Sequence, residues 1–233
     1  MFLRRLFSLC LTALMSCSQA DEFPPDATMI AVGDSFLDWN HDEEQSIPDV
    51  IGQKLNRVMG NAAISGAMVL GNDEESIPNQ YRKGPWSWVI INGGGNDITD
   101  RCDCRNCGAT LNKLLTADGS SGALRDLAER AVSHGSKAVI VGYMNLLPQA
   151  AESPQCNDEL AELRTRKSLL ADDMPNVIYV NAAEALDGTD SRLYDDDNLH
   201  PSIAGSKAVG TLIATAIRQI ESEAEHTDTG ATP

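Results

Sequence analysis

Long apolar runs are absent from the chain after its first 20 residues, so we expect no membrane-spanning helix in the sequence that follows. Aromatic residues are scarce at 5%, and basic residues are few, with 18 Lys and Arg against 34 Asp and Glu. The formal net charge of −16 disfavours binding to nucleic acid and to anionic membranes. The 233 residues, of which 42% are hydrophobic, suffice for one medium-sized globular domain.

The first 20 residues have the pattern of a signal peptide. Arg4 and Arg5 form a basic region, and residues 6–15 form an apolar stretch too short to span a bilayer. Ser18-Gln19-Ala20 places small residues where a signal peptidase cleaves. We therefore expect a periplasmic or secreted protein, whose net charge without residues 1–20 is −18.

A second interpretation of the same region is a lipid anchor. Leu14-Met15-Ser16-Cys17 resembles a bacterial lipobox, in which Cys17 would be lipidated and become the new N-terminus. Met at the middle position is atypical of that motif. The alternative location is accordingly that of an outer-membrane lipoprotein.

Four cysteines follow the predicted leader: Cys102, Cys104, Cys107 and Cys156. An even number of cysteines in an exported chain favours disulfides, and three connectivities are open. The rival interpretation is a zinc site, because C-x-C-x-x-C with one distant cysteine can hold that metal. We expect disulfides with a structural role and no metal.

One domain is predicted over residues 26–221. A polar, proline-containing spacer precedes it at 21–27, and the polar segment 222–233 is expected to be disordered. Short apolar runs alternate in the domain with amphipathic stretches. Strands are predicted at 29–32, 61–65, 88–91, 138–141 and 177–180, and helices at 47–58, 122–134, 158–171 and 202–220. This alternation predicts a three-layer α/β/α sandwich of about five parallel strands.

Polar or glycine-rich motifs follow three of the predicted strands. Gly33-Asp34-Ser35 ends the first strand and can expose a serine hydroxyl at a turn into a helix. Gly66 follows the second strand and offers an unobstructed backbone N–H. Asn96, after a glycine triplet at the end of the third strand, carries an uncharged NH₂ donor suited to a developing oxyanion. Taken singly, each motif is also explained by a helix cap or a loop glycine.

A candidate base and its carboxylate precede the last predicted helix. His200 needs a carboxylate to fix its tautomer during general-base catalysis, and Asp197 lies three residues before it. Asp195 and Asp196 are neighbours, so the choice of the acid is less secure than the choice of the base. The carboxyl ends of parallel strands meet at one edge, where a single pocket would gather these groups.

The four motifs in this order resemble those of the SGNH (GDSL-type) hydrolases. The matching blocks are Gly33-Asp34-Ser35, Gly66, Gly94-Gly95-Asn96-Asp97 and Asp197-x-x-His200, within a resemblance over residues 28–220. Ala63 departs from the family pattern, where a glycine is common, and the cysteine cluster after Asn96 is not part of it. The resemblance implies a flavodoxin-like fold and ester hydrolysis without a cofactor.

The family's residue roles transfer to this chain position by position. The resemblance implies that Ser35 attacks the carbonyl and forms an acyl-enzyme, that His200 takes its proton, and that Asp197 orients His200. It further implies an oxyanion hole built from the N–H groups of Ser35 and Gly66 and the side chain of Asn96.

The substrate is expected to be a small-molecule or carbohydrate ester with a short acyl chain, such as an O-acetyl group or a simple ester. Trp39, Tyr143 and Met144 are candidates for lining a small pocket, or else for packing. Lipid or thioester hydrolysis, a non-catalytic carbohydrate- or small-ligand-binding module, and a flavin- or nucleotide-binding protein remain alternatives.

Overall fold

Five strands form one parallel sheet in the computed structural model of the chain, which describes residues 23–150 and 155–229. The strands run in the spatial order β2-β1-β3-β4-β5, which is a flavodoxin-like order. Their bounds are β1 Met29–Val32, β2 Met59–Asn61, β3 Trp88–Ile91, β4 Lys137–Gly142 and β5 Val177–Asn181. Every residue of β1 and β3 is buried, because helices cover both faces of the sheet.

Helices occupy the connections between the strands. They are α1 Ser35–Asp38, α2 Ile47–Leu55, α3 Ile77–Gln80, α4 Gly95–Cys102, α5 Gly108–Leu114, α6 Ala123–Ser133, α7 Gln155–Asp173 and α8 Ile203–Thr229, with short 3₁₀ turns at Ala182–Glu184 and Ser191–Leu193. Helices α2 and α8 pack against each other, whereas α6 and α7 pack on β4. The three-layer α/β/α sandwich with five parallel strands is confirmed.

Some boundaries differ from the predicted ones. The second strand ends at Asn61, where the prediction had begun it, because the Asn61 side chain accepts the Ala63 N–H at 3.0 Å and bends the chain. Helices α4 and α5 were not predicted. Their short, mostly polar sequences lack a long apolar stripe, and α4 begins after a run of glycines.

The segment 222–233 was predicted to be disordered, and this is wrong as far as Thr229, where α8 ends. Glu221 anchors the helix by accepting two hydrogen bonds from Arg57 and one from Trp88 Nε1. Glu223, Ala224 and Glu225, which follow, favour helix, so the helix continues past this anchor. Residues 1–20, with the lipobox at Cys17, and residues 230–233 lie outside the described part of the chain.

Two disulfides tie helices together on one side of the sheet. Cys102 at the end of α4 pairs with Cys107 just before α5, and Cys104 pairs with Cys156 in the first turn of α7. These four sulfurs are then not thiolates that could bind zinc, and residues 23–150 and 155–229 hold no cluster of three or more metal-ligating side chains. Within the same residues, no helix has the length and apolar character needed to cross a bilayer.

Candidate active site

The turn from β1 into α1 presents Ser35 at the first position of the helix. Asp34 caps α1 by accepting the Phe36 N–H at 3.0 Å. Both backbone polar groups of Gly33 are bound by the Gln80 side-chain amide, at 2.7 and 2.9 Å. A β-carbon at position 33 would lie 2.9 Å from Cδ1 of the buried Leu37, so a larger residue there would require that side chain to shift. The turn is therefore held on both sides of the serine.

His200 links Ser35 to Asp197. Its Nε2 lies 2.8 Å from Ser35 Oγ, and its Nδ1 lies 2.6 Å from Asp197 Oδ2. Because a carboxylate can only accept, Nδ1 carries the imidazole proton and the Nε2 lone pair faces the serine hydroxyl. This is the arrangement in which a histidine can take the proton of a serine nucleophile.

Of the three consecutive aspartates, the structure brings Asp197 to the imidazole. Asp195 instead accepts a hydrogen bond from Trp39 Nε1 at 2.7 Å, and Asp196 is exposed. Burial raises the pKa of Asp197, but hydrogen bonds from the His200 ring and from the N–H groups of Leu199 and His200 outweigh it. The net shift lowers the pKa, so Asp197 stays ionised beside the imidazole.

Asn96 and Gly66 line the same cavity, and Asn96 is bound to the residue that follows Gly66. One N–H of the Asn96 amide donates to the carbonyl of Ala67 at 3.0 Å, which leaves its second N–H for another acceptor. Gly66 has φ +82°, a left-handed conformation that favours glycine, and a β-carbon there would meet no atom within 4 Å. Ser35, Gly66, Asn96 and His200 all line one cavity of about 340 Å³.

Asp97 holds the loop that carries Gly66, residues 62–76, against α4. Its buried carboxylate accepts the N–H groups of Val69 and Leu70, each at 2.8 Å. Arg101, one turn later, donates to the Leu70 carbonyl at 2.7 Å. Burial raises the pKa of Asp97, and the two backbone N–H groups partly offset that rise. The loop and the first turn of α4 thus form one unit, so Asn96 and Gly66 keep their relative positions.

A buried polar network lies beneath the turn that carries Ser35. The Tyr143 hydroxyl donates to Asp34 and accepts the Gly95 N–H, so it bridges the residues that precede Ser35 and Asn96. Lys167 lies behind it, donating to the carbonyls of Gly93 and Val141 at 2.9 and 3.0 Å. Burial raises the pKa of Asp34 and lowers that of Lys167 to about 7.

The sequence motifs include Asp97 but assign it no role, and they do not identify Lys167 or the Tyr143 hydroxyl bridge as parts of the site. Lys167 had a signal in the sequence, because it lies on the apolar face of α7 in register with Leu163 and Leu170. A charged residue at such a position is buried only where it finds partners. The other two are defined by contacts between distant segments, for which the sequence shows no local pattern.

The rest of the cavity wall is mostly apolar. Of the three candidates named from the sequence, Trp39 and Tyr143 line it, whereas Met144 is buried outside the lining. The other aliphatic and aromatic side chains that line it are Phe36, Ile98, Leu146, Leu160 and Leu199. Cys156 adds its disulfide to this wall. Such a surface suits a small apolar group held beside the serine.

Comparison with known proteins agrees with this geometry. The model of the GDSL-like lipase/acylhydrolase family matches residues 31–208. No curated protein matches the chain significantly.

Solved structures match over most of the chain. The native M. smegmatis aryl esterase has 18% sequence identity, a TM-score of 0.60, and coverage of 83% of this chain and 99% of its own. A Slackia heliotrinireducens protein, provisionally described as an SGNH hydrolase, has 18% identity, a TM-score of 0.60, and coverage of 82% and 98%. At this identity, the structural matches establish the fold alone.

Proposed function

Since the chain belongs to the GDSL-like lipase/acylhydrolase family and is an ester hydrolase, we propose that Ser35 is its nucleophile, His200 its general base and Asp197 the carboxylate that orients His200. The observation that carries this proposal is the pair of contacts made by one imidazole. Its Nε2 lies 2.8 Å from Ser35 Oγ and its Nδ1 lies 2.6 Å from Asp197. Both distances fall within the range needed for proton transfer.

The reaction proceeds in two acyl-transfer steps. Ser35 Oγ attacks the ester carbonyl carbon while its proton passes to His200 Nε2, and the tetrahedral intermediate expels the alcohol, which takes that proton. This leaves an acyl group on Ser35. Water then attacks the acyl-enzyme with His200 again as base, which releases the acid and regenerates the serine.

The carbonyl oxygen becomes negatively charged in both steps, and we assign three donors to it. These are the backbone N–H groups of Ser35 and Gly66 and the second amide N–H of Asn96. The first Asn96 N–H is bound to the Ala67 carbonyl, so the amide is oriented before the substrate arrives. Preorganised donors of this kind supply the largest single share of catalysis in many acyl-transfer enzymes.

The acyl group is short in this proposal, either an O-acetyl group on a carbohydrate or a simple ester. The cavity of about 340 Å³ is at the small end of ligand pockets, which span roughly 300–1,000 Å³. Its apolar wall suits a short acyl chain. Proteins with the same fold from M. smegmatis and Agrobacterium tumefaciens carry the name aryl esterase or arylesterase, which makes phenyl esters natural test substrates.

We also propose that the protein acts outside the cytoplasm, in the periplasm or as a secreted protein, with lipid attachment at Cys17 as the alternative. The signal-peptide pattern of residues 1–20 supports export. The two disulfides support it as well, because such bonds persist in oxidising compartments.

Hydrolysis of p-nitrophenyl acetate, butyrate and octanoate tests the enzymatic proposal. We expect turnover with acetate and butyrate, a lower rate with octanoate, and loss of turnover in Ser35→Ala. Ser133→Ala is the matched control, because Ser133 is an exposed serine at the end of α6. Wild-type turnover in Ser35→Ala would reject the serine mechanism, and a preference for octanoate would reject the short acyl chain.

A further inference from the structure

We propose that Trp39 and Asn40 form a clamp that positions the His200 base against Ser35. Residues 194–201, here named the base loop, carry both His200 and Asp197. The two clamp residues directly follow α1, the helix that begins with Ser35. They connect the nucleophile helix to the base loop on both sides of the histidine. The inference rests on the proposed function for its kinetic test, but not for its structural test.

The need for such a clamp follows from where the base and its carboxylate lie. His200 and Asp197 are three residues apart, so their hydrogen bond orients the imidazole within the base loop. That bond does not determine how far the loop lies from Ser35. The Asp197 side chain is 39% exposed, which shows that the loop runs along the surface. The Tyr194 hydroxyl ties the start of the loop to Gly188 and Asn145. Contacts with the nucleophile element are what hold the loop directly against the Ser35 helix, and so set the distance from Nε2 to Oγ.

Trp39 makes two of these contacts. Its indole ring stacks on the His200 imidazole, with ring centroids 3.8 Å apart and planes 5° from parallel. Its Nε1 donates to Asp195 Oδ2 at 2.7 Å, and the Asp195 N–H in turn donates to the His200 carbonyl at 2.8 Å. The indole thus fixes the plane of the imidazole, and its own position is fixed by the hydrogen bond to Asp195 in the loop.

Asn40 makes the contacts on the other side of the histidine. Its Nδ2 donates to the Pro201 carbonyl and to Ser206 Oγ, both at 3.0 Å. Asn40 has φ +66°, a left-handed conformation that asparagine tolerates better than most residues. This turn lets two consecutive residues reach opposite sides of His200. The base loop is consequently bound before the histidine at Asp195 and after it at Pro201.

Trp39 and Asn40 act as positioning residues in this account, because neither supplies or accepts a transferred proton. A displacement of about 1 Å in a reacting group can cost roughly 10²-fold in rate. We expect Trp39→Ala to lower kcat by about that factor. Trp39→Phe keeps an aromatic ring but loses the hydrogen bond to Asp195. We expect it to lower kcat about tenfold, which is the effect of losing a hydrogen bond to a charged group at the low end of its usual strength.

Steady-state kinetics with p-nitrophenyl acetate tests the clamp, with active sites counted by a fluorophosphonate that labels Ser35. Asp195→Ala keeps the indole and removes its anchor, so its kcat per active site should match that of Trp39→Phe, with KM within about twofold of wild type. The double variant Trp39→Phe/Asp195→Ala should have a kcat close to that of either single variant, since both changes remove the same hydrogen bond. Asp196→Ala, an exposed neighbour, is the control. An Asp195→Ala kcat equal to that of Asp196→Ala would overturn the clamp.

Proton NMR tests the same stack without relying on catalysis. The indole ring current displaces the C–H signals of His200, which are assigned by their loss in His200→Gln. We expect Asp195→Ala to move these signals and Asp196→Ala to leave them in place. Unchanged signals in Asp195→Ala would overturn the clamp even if hydrolysis proved independent of Ser35. Full activity in Ser35→Ala would reject the proposed function and leave this structural test decisive for the clamp.

Discussion

Asn96 is the proposed oxyanion donor that a single substitution can test most simply, because its donor is a side-chain amide and not a backbone N–H group. Loss of one such donor typically raises the barrier by about 2.7–4 kcal/mol. We therefore predict that Asn96→Ala lowers kcat about 10²–10³-fold, measured with p-nitrophenyl acetate. Asn79→Ala, at an exposed asparagine, should keep the wild-type rate. A wild-type rate in Asn96→Ala would remove Asn96 from the mechanism.

Lys167 gives the folded protein a pH-dependent stability. Burial lowers its pKa from 10.5 to about 7, so between these values the unfolded chain binds a proton that the folded chain does not. The contribution of Lys167 to the free energy of unfolding therefore increases as pH rises from 7 towards 10.5, by at most about 1.4 kcal/mol per pH unit. The same contribution is lost as pH falls back to 7.

We predict that the pH-dependent contribution of Lys167 is missing in Lys167→Met. Urea unfolding at pH 7 and pH 9 should show the wild type gaining stability relative to this variant. Lys113→Met, at an exposed lysine of α5, should follow the wild-type pH dependence. Parallel pH dependence in wild type and Lys167→Met would show that the buried amine keeps its proton throughout this range.

At the level of whole elements, the two disulfides hold α4 and α5 to α7, and through α4 they support Asn96. The Cys104–Cys156 bridge spans 52 residues and the Cys102–Cys107 bridge spans 5. In the chain-entropy model, bridges of these lengths stabilise by about 4 and about 2 kcal/mol. We therefore predict a larger loss of stability in Cys104→Ala/Cys156→Ala than in Cys102→Ala/Cys107→Ala, measured by urea unfolding. The reverse order would mean that local packing, not chain entropy, dominates.

The sequence predicted well those elements that have a strong local pattern. The strands at 29–32 and 88–91 appear at their predicted bounds, because their runs of β-branched and aliphatic residues are buried on both faces. Helix α4 was not predicted because few of its residues are buried. One of these is Asp97, which accepts hydrogen bonds from the loop that carries Gly66. The helical extension to Thr229 depends on the anchor at Glu221, a contact with Arg57 that no local pattern shows.

For the molecule as a whole, the sheet order brings the candidate catalytic groups to one edge. Ser35 follows β1 and Asn96 follows the neighbouring strand β3, so adjacent parallel strands place the proposed nucleophile and a proposed oxyanion donor side by side. Sequence motifs identified these residues because each lies in a short turn after a strand. The supporting network of Asp34, Tyr143 and Lys167 comes from three separate segments and is visible only when they are folded together.

The central claim is that Ser35 becomes covalently acylated during ester hydrolysis. Rapid quenching of the reaction between the protein and p-nitrophenyl acetate, followed by intact-mass and peptide-mass analysis, tests it most directly. We expect one added acetyl group on the peptide that contains Ser35, and no such adduct in Ser35→Ala. An adduct of equal abundance in Ser35→Ala, or turnover without any adduct on the Ser35 peptide, would contradict it.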